Sequence, residues 1–173
     1  LCSYEVNLEE GYIFMLMELG DIDLEEVLDQ WKGQKKNMTV MRMYWEQMLS
    51  AVQIIHEERI VHCDLKPANF LLVHGHLKLI DFGVAKRIPS GSTESYSHHQ
   101  VGTVNYMSPE SLRDTRDNQS IGRVVLRMGL ASDVWSLGCI LYQMLYDHPP
   151  FREQLMRSKI REIMSESSVI DYP

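Results

Sequence analysis

Cysteine is scarce in this sequence. Cys2, Cys63 and Cys139 are odd in number and widely spaced among 173 residues, without the paired spacing of a zinc site or a disulfide framework, so reduced thiols are expected. No apolar run approaches the roughly 20 residues a membrane-spanning helix needs, and no basic-then-apolar leader stands before a cleavage site. A Lys/Arg stripe is also missing, and with 17 basic against 24 acidic residues the formal charge is −7. Both points argue against nucleic acid as the main partner. Repeats and low-complexity blocks are absent. So are a glycine-rich GxGxxG phosphate loop and a Val-Ala-Ile-Lys strand with its Glu partner. The chain starts at Leu1, enters a strand at once and stops at Asp171-Tyr172-Pro173, which reads as a piece of a larger domain. What remains is an intracellular globular protein: at 45% hydrophobic and 24% charged residues it can bury a core.

What is present is concentrated in His62-Cys63-Asp64-Leu65-Lys66-Pro67-Ala68-Asn69, followed twelve residues after the Asn by Asp81-Phe82-Gly83. Phosphoryl transfer needs a carboxylate to orient and deprotonate an alcohol, a cation beside the moving phosphate, and oxygen ligands that hold Mg²⁺ against a nucleotide. Asp64 suits the base, Lys66 the cation, and Asn69 with Asp81 the metal ligands. Phe70 to Val73 and Leu77 to Ile80 are short apolar runs around His74-Gly75-His76, which predicts a hairpin with Gly at positive φ. Such a hairpin brings Asn69 and Asp81 close, as a shared Mg²⁺ requires.

The rest of the chain supplies ordinary elements. Tyr12 to Met17 is an apolar run of strand length leading to Glu18-Leu19-Gly20. A short acidic helix is expected from about Asp23 to Trp31, then a polar break over Gly33 to Asn37. Thr39 is expected to cap a helix running to about Glu58, with Met41, Tyr44, Trp45, Met48, Leu49, Val52 and Ile55 at helical spacing. That stripe reads as core, methionine filling irregular gaps. Residues 84–101 are polar and rich in Ser and His and read as a loop, and residues 111–130 as an irregular surface insertion. Leu130 to Tyr146 predicts a strongly apolar helix, and Phe151 to Ser165 a weaker amphipathic one after His148-Pro149-Pro150.

The catalytic-loop and Asp-Phe-Gly segments together resemble those of protein kinases. Gly102-Thr103-Val104-Asn105-Tyr106-Met107-Ser108-Pro109-Glu110 resembles the close of a kinase activation loop, with Ser108-Pro109-Glu110 in place of Ala-Pro-Glu. Asp133-Val134-Trp135-Ser136-Leu137-Gly138 resembles the start of the buried helix of the large lobe. The resemblance implies an α+β, protein-kinase-like fold that is mostly the helical large lobe: residues 1–17 end the small lobe, 18–23 are the hinge and 24–173 are a truncated large lobe. It implies ATP and Mg²⁺ as cofactors, Met17 as gatekeeper, Glu18, Leu19 and Gly20 at the adenine, Asp23 near the ribose and Leu72 in the nucleotide site. It further implies structural roles for His62, for Glu110, whose arginine partner is missing, and for Asp133, which hydrogen-bonds the catalytic-loop backbone. Without the resemblance, Asp133 is a carboxylate complementing a helix dipole.

Lys66-Pro67 is the pattern of Ser/Thr-directed kinases. The strings at 20–24, 62–73, 78–85, 100–107 and 132–142 resemble the monopolar-spindle (TTK) family, in which a small residue, here Cys63, stands between the catalytic-loop His and Asp. This resemblance implies a dual-specificity kinase of the spindle checkpoint, acting at kinetochores and the spindle on protein substrates, with checkpoint and kinetochore proteins as partners and no nucleic acid or membrane. It also implies Thr93 as an autophosphorylation site and a second role for Thr103 near Asp64 and Lys66. Cys63 cannot pair with a phosphate as an arginine there would, so Lys86, Arg87 or a group outside this chain is the expected cation. Cys63 itself reads as a small buried residue and not as a nucleophile. The alternative is a non-catalytic, pseudokinase-like binding module, which has no chemical need for Asp64, Lys66, Asn69 and Asp81 together. Without its phosphate lid and strand lysine, the piece alone is expected to be inactive.

Overall fold

A computed structural model describes residues 3–90, 92, 94–97, 104–112, 126–153, 155–165, 167 and 169–172. Strands β1 (Ser3–Asn7) and β2 (Tyr12–Leu16) form an antiparallel hairpin. Its alternating faces carry Val6, Tyr12, Phe14 and Leu16, all exposed. After a connector over residues 17–21 comes β3 (Ile22–Asp23), which runs directly into helix α1 (Leu24–Trp31). Asp23 caps that helix, its side chain accepting the Glu26 N–H at 2.9 Å, and Glu25 and Glu26 place negative charge on the first turn, where the dipole favours it.

Helix α2 (Met38–Glu57) begins one residue ahead of the expected cap. Asn37, and not Thr39, is the capping residue: its Oδ1 accepts the N–H groups of Thr39 at 3.1 Å and Val40 at 3.3 Å. Asn caps as well as Thr and stood in the preceding break, so only the backbone geometry could choose between them. The predicted stripe packs inward through Met41, Tyr44, Met48 and Val52, whereas Leu49 lies on the outer edge at 42% exposure. Tyr44 stacks on Trp31 with ring centroids 5.8 Å apart, locking α1 against α2.

Strand β4 (Ile60–Val61) leads through residues 62–66 to a 3₁₀ turn (Pro67–Asn69) and then to strands β5 (Phe70–Val73) and β6 (His76–Leu79). The hairpin closes at His74-Gly75, both at positive φ (51° and 81°), which is what a two-residue loop between right-twisted strands requires. The third strand of that sheet is β3, in the order β3-β5-β6. The segment expected as pure loop contains two strands. β7 (Lys86–Arg87) pairs with β4, and β8 (Glu94–Ser97) pairs with β9 (Leu126–Gly129), which lies inside the expected irregular insertion. β7 and β8 are polar and carry no apolar alternation to announce them.

A 3₁₀ turn (Val104–Tyr106) and the short helix α3 (Pro109–Leu112) precede α4 (Leu130–Tyr146), whose bounds match the predicted apolar helix. The final helix, α5 (Met156–Met164), is shorter than expected because residues 151–153 carry no helix after Pro149-Pro150. The main core joins Leu24 and Leu28 of α1, the α2 stripe, Phe70 and Leu72 of β5, and Leu137, Ile140 and Met144 of α4. Phe70, Met48 and Ile140 are fully buried, each contributing about 1.5–3 kcal/mol of transfer free energy. This packing holds α2 and α4 as the platform on which the 62–69 segment lies.

Candidate active site

The platform grips the catalytic segment through one carboxylate. Asp133, in the first turn of α4 and 1% exposed, accepts the backbone N–H of His62 at 2.9 Å on Oδ2 and that of Cys63 at 3.1 Å on Oδ1. His56, near the end of α2, reaches the same Oδ2 through Nε2 at 2.8 Å. The expected role of Asp133 is therefore observed, and His56 is a partner that sequence reasoning missed, since nothing local marks a histidine that meets a carboxylate 77 residues away. The grip allows Cys63 to hold φ 70°, a left-handed conformation that costs a non-glycine residue free energy. Cys63 is buried, and burial first, then Asp133, pushes its thiol up to about 12. It is no nucleophile at neutral pH.

The next residues form the candidate cluster. Lys66 Nζ lies 2.8 Å from Asp64 Oδ2, both side chains partly shielded. Asn69, 4% exposed, donates Nδ2 to the Asp64 carbonyl at 2.8 Å, which sets the backbone beneath the carboxylate and turns the amide oxygen Oδ1, an acceptor, to the other side. The Ile80 N–H meets the Asn69 carbonyl at 2.9 Å, so the β5–β6 hairpin returns the chain to Asn69 and delivers Asp81 beside it. Asp81 takes φ 63° and accepts the Gly83 N–H on Oδ1 at 3.2 Å. His62 ties the two ends of the cluster together: Nε2 donates to the Ile80 carbonyl at 3.0 Å, and the ring meets Phe82 edge-on at 5.3 Å.

The described residues contain no group of three His, Cys, Asp or Glu side chains that could hold a metal alone. Asn69 and Asp81 offer one neutral and one anionic oxygen, a donor set that suits Mg²⁺, which takes one or two protein ligands and fills its shell with water and phosphate oxygens. The residues present thus fit the ion.

The segment after the activation loop is moored to α4. Ser136 Oγ donates to the Tyr106 carbonyl at 2.7 Å, and Tyr106 OH donates to Gln143 Oε1 at 2.7 Å. Glu110, expected to lack its arginine, accepts the Ser132 hydroxyl at 3.1 Å on Oε1. A cavity of about 10 Å³, lined in part by Asp64, Tyr106, Ser108, Ser111 and Ser132, joins this segment to the catalytic loop. Thr93 and Thr103 lie outside the described residues.

The side expected to take the nucleotide is more open. Met17 and Leu19 are exposed, and Glu18 pairs with Lys78 of β6, a hydrogen bond that holds the Glu18 carboxyl below its ordinary range. Gly20 lies so close to β5 that a Cβ there would sit 2.1 Å from Leu71 Cδ2. Leu72, expected in the nucleotide site, is instead 8% exposed and packs in the main core. Strand alternation gives Leu72 the inward face of Phe70, and the neighbouring residue, Leu71, is the one turned to the connector. Asp23 spends one oxygen on the cap of α1.

A family model described as the protein kinase domain matches residues 1–172. The serine/threonine-protein kinase mph1 of Schizosaccharomyces pombe is 49% identical over the whole chain, which covers 26% of that protein. The probable serine/threonine-protein kinase mps1 of Dictyostelium discoideum is 47% identical, again over the whole chain and 18% of its own length. The dual specificity protein kinase TTK of Mus musculus is 44% identical over 98% of this chain and 20% of its own. The chain thus spans about a quarter or less of these relatives. With the Asp64–Lys66–Asn69–Asp81 cluster assembled on α2 and α4, and a match along nearly its entire length, the chain belongs to the protein kinase family, among the Mps1/TTK kinases.

Proposed function

We propose that this chain is the catalytic centre of an ATP-dependent protein kinase that phosphorylates Ser and Thr, and also Tyr, on protein substrates. The observation that carries the reading is the Asp64–Lys66 ion pair, at 2.8 Å, on a loop whose Asn69 also holds the Asp64 carbonyl. Asp64 orients the substrate hydroxyl and takes its proton as the oxygen attacks. Lys66, held against Asp64 and within reach of the same hydroxyl, offers positive charge where negative charge gathers on the phosphoryl oxygens. Asn69 and Asp81 would hold Mg²⁺ by their side-chain oxygens. When bound, Mg²⁺-ATP supplies the phosphoryl group and the ion neutralises its charge. Gly20 and Leu71 form the close-packed edge of the nucleotide site, with the connector at residues 17–20 reading the base.

The resemblance to monopolar-spindle kinases supports substrates at kinetochores and the spindle, a nuclear setting during division, and partners among checkpoint proteins. It also supports Thr93 as a regulatory autophosphorylation site and Thr103 as a contact of the catalytic centre. In the full-length protein, Asp64→Asn should lower kcat by orders of magnitude with ATP affinity roughly kept, because the base acts in the transition state. Asp81→Asn should in addition weaken Mg²⁺-ATP binding. A radiolabelled-phosphate assay with phosphoamino-acid analysis and nucleotide titration separates the two. Parental activity in Asp64→Asn would sink the base assignment, and mass spectrometry finding Thr93 unmodified in active protein would remove the regulatory one.

A further inference from the structure

The turn between α2 and β4 contains a residue that sequence reasoning passed over. Arg59 holds φ 58°, where glycine is relaxed and a side chain is strained. Its own backbone is fixed on both sides: the N–H donates to the His56 carbonyl at 2.9 Å, and the carbonyl accepts the Ile88 N–H at 2.8 Å. Its side chain reaches forward to the start of the activation segment. Nε donates to the Ile88 carbonyl at 3.4 Å, and Nη2 donates to the carbonyls of Pro89 at 3.0 Å and Ser92 at 2.6 Å. No carboxylate pairs with Arg59 among the described residues. The guanidinium is thus committed to backbone carbonyls, and its charge strengthens each of those bonds.

The clamp bears on the reacting cluster through Ile88. That side chain is 3% exposed and packs with Val61, Cys63 and Met128 in a second, smaller core. Cys63 precedes Asp64 and is itself in a left-handed conformation. Whatever holds Ile88 down therefore holds the backbone from which Asp64 projects. Cys63, a neutral thiol, offers the segment no cation. We propose that Arg59 is a positioning residue for phosphoryl transfer: its guanidinium pins Ile88, Pro89 and Ser92 to the chain entering the catalytic loop and so keeps Asp64 in register. The inference rests on the kinase reading above and adds to it a residue that touches neither substrate nor nucleotide.

The strained φ makes a clean test available. Arg59→Gly relaxes the backbone while deleting the guanidinium, and Arg59→Lys keeps the charge but cannot span three carbonyls. In the full-length protein, Arg59→Gly should speed amide hydrogen exchange at Ile88 and Ser92 about tenfold. It should also lower kcat about tenfold with the ATP KM unchanged, in keeping with what a sub-ångström misplacement of a catalytic group costs. Arg59→Lys should recover part of both. Unchanged exchange in Arg59→Gly would overturn the clamp. Faster exchange with parental kcat would overturn the positioning role. A parental protein that transfers no phosphate would defeat the kinase reading, and the positioning role with it, while leaving the exchange result to decide the clamp separately.

Discussion

Asp133 accepts two backbone N–H groups and a histidine ring with one buried carboxylate, so its removal strands several donors at once. Each stranded buried donor costs about 1–3 kcal/mol, and in a domain of this size about 1 kcal/mol moves Tm by about 2–4 °C. Asp133→Ala should therefore lower the melting temperature of the full-length protein's kinase domain by at least about 5 °C and reduce kcat, with Asp133→Asn in between because one oxygen acceptor remains. Scanning calorimetry beside a kinetic assay reads both. Melting within error of the parent would mean the catalytic loop has another anchor. His56 was not legible in advance, nor was the exchange of a helix cap from Thr39 to Asn37, because both depend on where a backbone actually runs.

Two contacts between elements decide how firmly the site is framed. The connector meets β5 at Gly20, where a Cβ would lie 2.1 Å from Leu71 Cδ2 and 2.3 Å from its Cγ. Gly20→Ala should force the Leu71 side chain aside at about 1–3 kcal/mol and raise the ATP KM severalfold. Adding Leu71→Ala should relieve the clash and restore stability, and nucleotide titration with thermal melts distinguishes the variants. If Gly20→Ala behaved as the parent, the close approach would not matter to the nucleotide. At the other end of the platform, Asp147 ends α4 at φ 67° and accepts the Gly33 N–H at 3.0 Å and the Lys36 ammonium. Burial raises the Asp147 carboxyl, but Lys36 and the Gly33 N–H outweigh it and hold the group below its ordinary 3.8. A carboxylate with a depressed folded pKa stabilises the fold at pH values above the unfolded value, and this contribution is lost as pH falls through the folded one. Lowering pH from about 5 to about 3 should therefore reduce the denaturant midpoint more steeply in the parent than in Lys36→Met. Parallel slopes would remove the pair from the acid response.

For the molecule as a whole, the β1–β2 hairpin is the least covered of the elements whose burial is described. Tyr4, Val6 and Tyr12 to Leu16 are exposed on both of its faces, and an isolated two-stranded hairpin is marginal in water. An apolar surface of that kind belongs under other protein, and the sequence holds no glycine-rich loop or strand lysine to complete the phosphate side. The 173 residues on their own should bind an apolar dye, melt with weak cooperativity and transfer no phosphate, as calorimetry and a radiolabel assay would read. Robust autophosphorylation by this chain would force a search for a substitute lysine within it.

The amino-acid sequence by itself determined those features that need only neighbours. The α4 bounds follow from 3.6-residue apolar periodicity, the His74-Gly75 turn from a glycine that tolerates positive φ, and the nearness of Asn69 to Asp81 from the hairpin between them. Asp64, Lys66, Asn69 and Asp81 were legible as a chemical set because phosphoryl transfer demands those groups at short spacing. Tertiary structure alone decided which residues meet across long stretches of chain: Asp133 with His56, Ser132 with Glu110, Arg59 with the carbonyls of Ile88, Pro89 and Ser92, and β7 and β8 with their strand partners. It also decided that Leu71, and not Leu72, faces the connector, since a strand's period of two assigns alternate faces but says nothing about which face is inside. The physical reason is common to all of these. A hydrogen bond or packing contact between distant segments is specified by the shape of everything folded between them, and no local pattern encodes that shape.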